Sequence, residues 1–157
     1  MMNFGFTETL LAILALLLVV AAVIDIRTYT ISNRLNLVVA LLAPLYWWSV
    51  GIPLWPDVAI QIALGAGVFI LLALAFYAGM MGGGDVKLAA AVALWLSPVS
   101  TLKFLVFMSV AGGLLTLVML VLHRLRGKPG RPEIPYGVAI AVGGLAILAQ
   151  RFLNQFA

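Results

Sequence analysis

The chain has 157 residues, 65% of them hydrophobic and only 9% charged, with a mean hydropathy of +1.21. A soluble domain carries roughly a quarter charged residues, so this composition excludes a disordered or water-soluble chain and points to a bilayer; no nucleic-acid partner is expected. The net charge is +4, and there is no cysteine, which excludes disulfides, thiol nucleophiles and cysteine-ligated zinc.

No Lys or Arg precedes Arg27, and the first charge is the acid Glu8. A cleavable signal needs a basic start, so the first apolar run reads as a retained helix. Six apolar segments follow from the polar and Gly/Pro breaks: 7–26, 35–50, 58–78, 86–96, 101–122 and 136–152. The expected fold is all-α, a polytopic membrane protein of about six transmembrane helices forming one integral-membrane domain, 1–157. The second and fourth segments are short for a span.

Loops one, three and five hold Arg27, Arg34, Lys87, Arg124, Arg126, Lys128 and Arg131, against only Lys103 and Arg151 on the other side. The excess of basic residues in cytoplasmic loops then puts the odd-numbered loops inside, giving an N-out/C-out topology. The basic balance is chiefly this topology signal, with some attraction to membrane lipids.

Few side chains remain for chemistry. His123 is the only histidine, so paired-histidine metal sites are excluded; no metal and no cofactor are expected. No G-x-S-x-G elbow occurs, and His123 reads as an interfacial residue of a basic loop. The acids are Glu8, Asp25, Asp57, Asp85 and Glu133. Glu8 and Asp57 fall on the outer side, and Glu133 sits in a proline-bounded loop where a solvated carboxylate is expected.

Asp25 closes the first apolar segment, where the helix dipole disfavours an anion and the hydrocarbon edge makes one costly. Arg27, two residues on, lies about 200° around the helix and points away. A polar boundary with a snorkelling arginine is the plain alternative. Asp85 follows Gly82, Gly83 and Gly84 and opens an apolar run too short for a hydrocarbon core of about 30 Å. It therefore falls below the headgroup level, where it can also cap the helix it begins. The glycines leave room for another chain to approach.

Two inner-side carboxylates at comparable depth are the minimum equipment of an aspartic protease. One takes a proton from the attacking water while the other donates to the carbonyl oxygen. Two like charges held close share a proton and titrate as a unit.

At these residues the sequence resembles the type IV prepilin peptidases, aspartic proteases of the G-x-G-D membrane class. The segment from Asp25 through Asn33 and Arg34 to Leu35 is similar to the family's first aspartate segment. Gly82-Gly83-Gly84-Asp85-Val86-Lys87-Leu88 matches G-x-G-D-x-K-L, and Pro135-Tyr136-Gly137 resembles the start of the family's last helix.

The resemblance implies that Asp25 and Asp85 are the catalytic pair, with Asn33, Gly82, Gly84, Lys87, Pro135, Tyr136 and Gly137 in support. It implies prepilin substrates, cut after a short basic leader at the cytoplasmic face of a bacterial inner membrane. Ser32 departs from the proline many relatives carry there. Neither the N-terminal domain nor the paired cysteines of longer members are present, so methyl transfer is not expected. The short form looks most like the enzymes of tight-adherence (Flp-type) pilus systems; oligomeric state is left open.

Lys87 is expected to meet a lipid phosphate or an acidic substrate residue. A preflagellin or pseudopilin leader peptidase would use the same chemistry. A proton-coupled transporter would need polar groups near the midplane, and both aspartates lie on one side. A non-catalytic subunit of a secretion machine would tolerate loss of both.

Overall fold

The computed structural model describes residues 4–127, 130 and 132–154; Lys128 and Arg131, counted among the basic loop residues, lie outside them. Six α-helices follow in order: α1 (Phe4–Thr28), α2 (Asn33–Val50), α3 (Ala59–Tyr77), α4 (Gly83–Ala93), α5 (Pro98–Leu125) and α6 (Tyr136–Leu153). A π-helical turn, Leu54–Val58, leads into α3. Among the described residues there is no strand.

Four helices are long and apolar enough to cross a membrane: Gly5–Thr28, Leu54–Tyr77, Pro98–Leu125 and Tyr136–Leu153. The remaining two are α2 and α4. Asn33, Arg34 and Asn36 make the start of α2 polar, and α4 has only 11 residues, or about 16 Å of helix.

The outer surface is apolar. Leu16, Leu41, Ile70, Leu74, Leu102, Val106, Leu114 and Leu117 are all exposed, which in water would be an aggregating surface and in a bilayer is the lipid face. The interior is built around the short α4, whose Val86, Leu88, Ala89, Ala91, Val92 and Ala93 are buried. Its alanines let neighbours come close, and α2, α3 and α6 pack on it. α6 also packs on α1 and α5.

Glycines set the closest approaches. A Cβ at Gly65 of α3 would stand 2.5 Å from Leu94 Cδ2, and one at Gly143 of α6 only 3.1 Å from the Met108 backbone nitrogen.

Caps explain several boundaries. The Ser32 hydroxyl accepts from the Leu35 amide and begins α2. This serine therefore starts a helix by hydrogen bonding. Ser97 does the same for α5 through Ser100, with Pro98 in the first turn. α1 stops at a left-handed Tyr29, φ 53°. The sequence expectation for the fourth segment, 86–96, is corrected at both ends. Gly83 and Gly84 are helical, and the chain turns after Ala93.

The helices alternate in direction. Hydrogen bonds join Thr7 in α1 to Ser49 at the end of α2 and Trp47 to the Leu94 carbonyl at the end of α4. At the other end the α6 start meets α1 and the α2 start meets the α4 start.

Replacing Gly65 by leucine should overpack the α3–α4 contact and cost about 1–3 kcal/mol. Gly67, on the same helix, has nothing within 4 Å of an added Cβ. Thermal unfolding in detergent should therefore fall clearly for Gly65→Leu and stay near the parent for Gly67→Leu.

Candidate active site

Both Asp25 and Asp85 are buried, at 2% and 7% exposure, at the end of the bundle where α1 finishes and α2, α4 and α6 begin. A buried carboxylate needs hydrogen-bond donors, and here the donors are backbone amides at helix starts. Asp25 lies one turn before the end of α1, and its Oδ2 accepts from the Gly137 amide at 2.6 Å. It is thus seated on the N-terminus of α6, where the dipole and unbonded amides favour an anion. Asp85 Oδ2 accepts from the Gly82 amide at 3.1 Å, capping its own helix.

Arg27 is exposed, and among the described residues neither aspartate has an ion-pair partner. Gly84, next to Asp85, and Gly137, which binds Asp25, both pack on Ile31, so these carboxyls, 60 positions apart in sequence, belong to one site.

Ile31, in the loop between α1 and α2, holds the pieces together. A Cβ on Gly84 would stand 2.7 Å from the Ile31 carbonyl oxygen, and one on Gly137 would stand 2.6 Å from Ile31 Cδ1 and 2.8 Å from Asp25 Oδ2. The open space at Gly84 is therefore taken by the protein's own loop. Of Gly82, Gly83 and Gly84, it is Gly82 that borders the cavity, together with Gly79.

Lys87 donates to Asn33 Oδ1 at 2.8 Å, joining the two aspartate segments where a lipid or substrate contact was expected. Pro135 is the residue before α6. Tyr136 opens that helix, with its hydroxyl 3.4 Å from that of Thr116.

Asn36 is a residue the sequence reasoning missed. It is buried, and its amide donates to the Gly84 carbonyl at 2.9 Å. An asparagine inside an apolar run, one turn after Ser32, was the available signal. Glu133, expected to be an ordinary solvated acid, is exposed and borders the site cavity.

That cavity is about 590 Å³ and is lined by Tyr29, Met80, Gly82, Asp85, Glu133 and Tyr136, among others. It opens among the three loops at this end, so an extended chain can reach Asp85 from the membrane surface. Among the described residues no group of His, Cys, Asp and Glu could hold a metal ion.

Fold and site together define a helical membrane protein with a carboxyl pair buried at one end, beside a cavity that opens at the surface. A family model, the type IV leader peptidase family, matches residues 12–117. The chain belongs to that family and is a leader-peptidase-type protease. No curated protein and no solved structure matches it significantly.

Gly137→Ala should displace the Asp25 carboxylate without emptying the core. Misplacing a reacting group by about 1 Å costs roughly 10²-fold in rate. Peptidase turnover should fall on that scale, and thermal unfolding in detergent should also fall, because the added Cβ meets Ile31 Cδ1 at 2.6 Å and the Asp25 carboxyl at 2.8 Å.

Proposed function

We propose that the chain is a membrane-embedded aspartic endopeptidase that removes the short basic leader from type IV or Flp-type prepilins, with Asp25 and Asp85 as its catalytic pair. The observation that carries this reading is the burial of the two carboxyls at one end of the bundle, where Gly84 beside Asp85 and Gly137, which holds Asp25, both pack on Ile31.

One carboxylate takes a proton from a water as it attacks the scissile carbonyl, while the other, protonated, donates to the carbonyl oxygen. The roles then reverse as the tetrahedral intermediate collapses and the leaving nitrogen is protonated. The Gly137 and Gly82 amides each hold one carboxyl oxygen, leaving the other oxygen of each aspartate for the water.

Charge supports a cytoplasmic site. The end that holds the aspartates carries Arg27, Arg34, Lys87, Arg124 and Arg126, and the far end only Lys103 and Arg151. On this reading the six helices make six passes, with α2 and α4 sheltered by their neighbours and both chain termini outside. The protein would lie in the bacterial inner membrane as a single domain. A prepilin's apolar helix would stay in the bilayer while its leader enters the cavity beside Asp85. Without cysteine, N-methylation of the product is not part of the proposed activity.

Asp25→Asn and Asp85→Asn, each co-expressed with a prepilin, should slow leader removal by at least about a hundredfold. Full processing by either variant refutes the pair. A panel of prepilin, preflagellin and pseudopilin leaders identifies the substrate.

A further inference from the structure

At the end of the bundle away from the aspartates, the only two Lys or Arg side chains among the described residues, Lys103 and Arg151, line the same cavity. This cavity is about 560 Å³ and also presents the Gln61 amide and the Ser97 and Ser100 hydroxyls, beside the first turn of α5. Lys103 makes no hydrogen bond to the protein among the described residues, and neither cation has a carboxylate partner there. Arg151 is held in place by donating to the Tyr46 hydroxyl, with its guanidinium 5.5 Å from the centre of the Tyr46 ring. Tyr46 in turn stacks on Trp95, ring centroids 5.2 Å apart. The arginine is therefore pre-oriented, and among the described residues no carboxylate neutralises it. The Gln61 amide oxygen is buried without a partner.

A second observation bears on what would lie there. An apolar groove of about 560 Å³ runs between α1 and α6, lined by Ala12, Ala15, Leu145 and Leu148, and it shares Leu11, Leu148 and Arg151 with the polar cavity. Cationic donors beside a helix start suit a phosphate. An adjoining apolar trough suits a hydrocarbon chain. Of the two acids at this end, Glu8 lines the trough but not the polar cavity, and Asp57 lines neither.

We infer that this end of the protein binds one phospholipid of the leaflet opposite the aspartates, its phosphodiester held by Lys103 and Arg151 and an acyl chain laid along the α1–α6 groove. Two unpaired cations at a membrane edge could also simply snorkel into water. Snorkelling gives neither a shared cavity nor a dependence on the groove.

The test uses the full chain in detergent, with thermal unfolding followed as three probes are titrated. Dioctanoyl phosphatidylglycerol has both phosphate and chains, dioctanoylglycerol only chains, and inorganic phosphate neither chain. The first should stabilise saturably, and the other two should not at matched concentration. Lys103→Gln should weaken the apparent affinity about tenfold, the scale of one charge-assisted hydrogen bond. Leu148→Trp, filling the groove, should weaken it comparably, and Arg34→Gln at the opposite end should change nothing.

Because Lys103 bonds no group among the described residues, its variant keeps the fold even if an Arg151 variant does not. An equal response to inorganic phosphate would mean a free-anion site, and an equal response to dioctanoylglycerol a merely greasy one; either overturns the inference. So does an unchanged affinity in Lys103→Gln. None of these results bears on whether the aspartates cleave prepilins.

Discussion

A single hydrogen bond, from the Gly137 amide to the carboxylate of Asp25, joins the end of the first helix to the start of the last across 112 positions of chain. A carboxylate buried in a lipid-facing bundle has no water to satisfy it. The fold supplies a helix N-terminus instead, the one backbone feature that offers unbonded amides together with a favourable dipole. That choice dictates the rest. For the amide to reach, α6 must begin against α1 with no side chain between them, hence the glycine. For Asp85 to join, α4 must begin at the same level, against the same Ile31 loop, and Gly84 meets that demand.

Much of this was legible in the residues. Apolar runs marked all six helices, because a bilayer leaves a long hydrophobic stretch little other choice. The two aspartates stood out because a carboxylate next to hydrocarbon is costly and rarely idle. What could not be read was who satisfies them. A backbone donor leaves no side-chain signature, so the seat of Asp25 on α6 had no mark in the first segment. The dipole argument made from its own helix therefore counted only half of its surroundings.

Gly83 and Gly84 misled for a related reason. Glycine's poor helix propensity, about 1 kcal/mol below alanine, argued for a loop. Close packing on the Ile31 carbonyl and the Asn36 bond to Gly84 outweigh it. Lys87 and Asn33 were both picked out from the sequence, but their 2.8 Å bond to each other is a tertiary fact that no spacing encodes.

The architecture also explains how hydrolysis can be kept beside a membrane without flooding it. The hydrophobic surface faces lipid along the length of the bundle, and the polar groups are gathered at its ends. Only α4 stops short, and its buried start places Asp85 beneath the rim while its alanine-rich body fills the centre. Water need enter only as far as the cavity among the three loops. On the proposed reading, a substrate whose own helix stays in the bilayer would present its unwound end to the aspartates at that depth. A short central helix, starting below the surface and capped by one of the acids, supplies that depth; a full-length span in its place would carry Asp85 out to the headgroups, away from the buried Asp25.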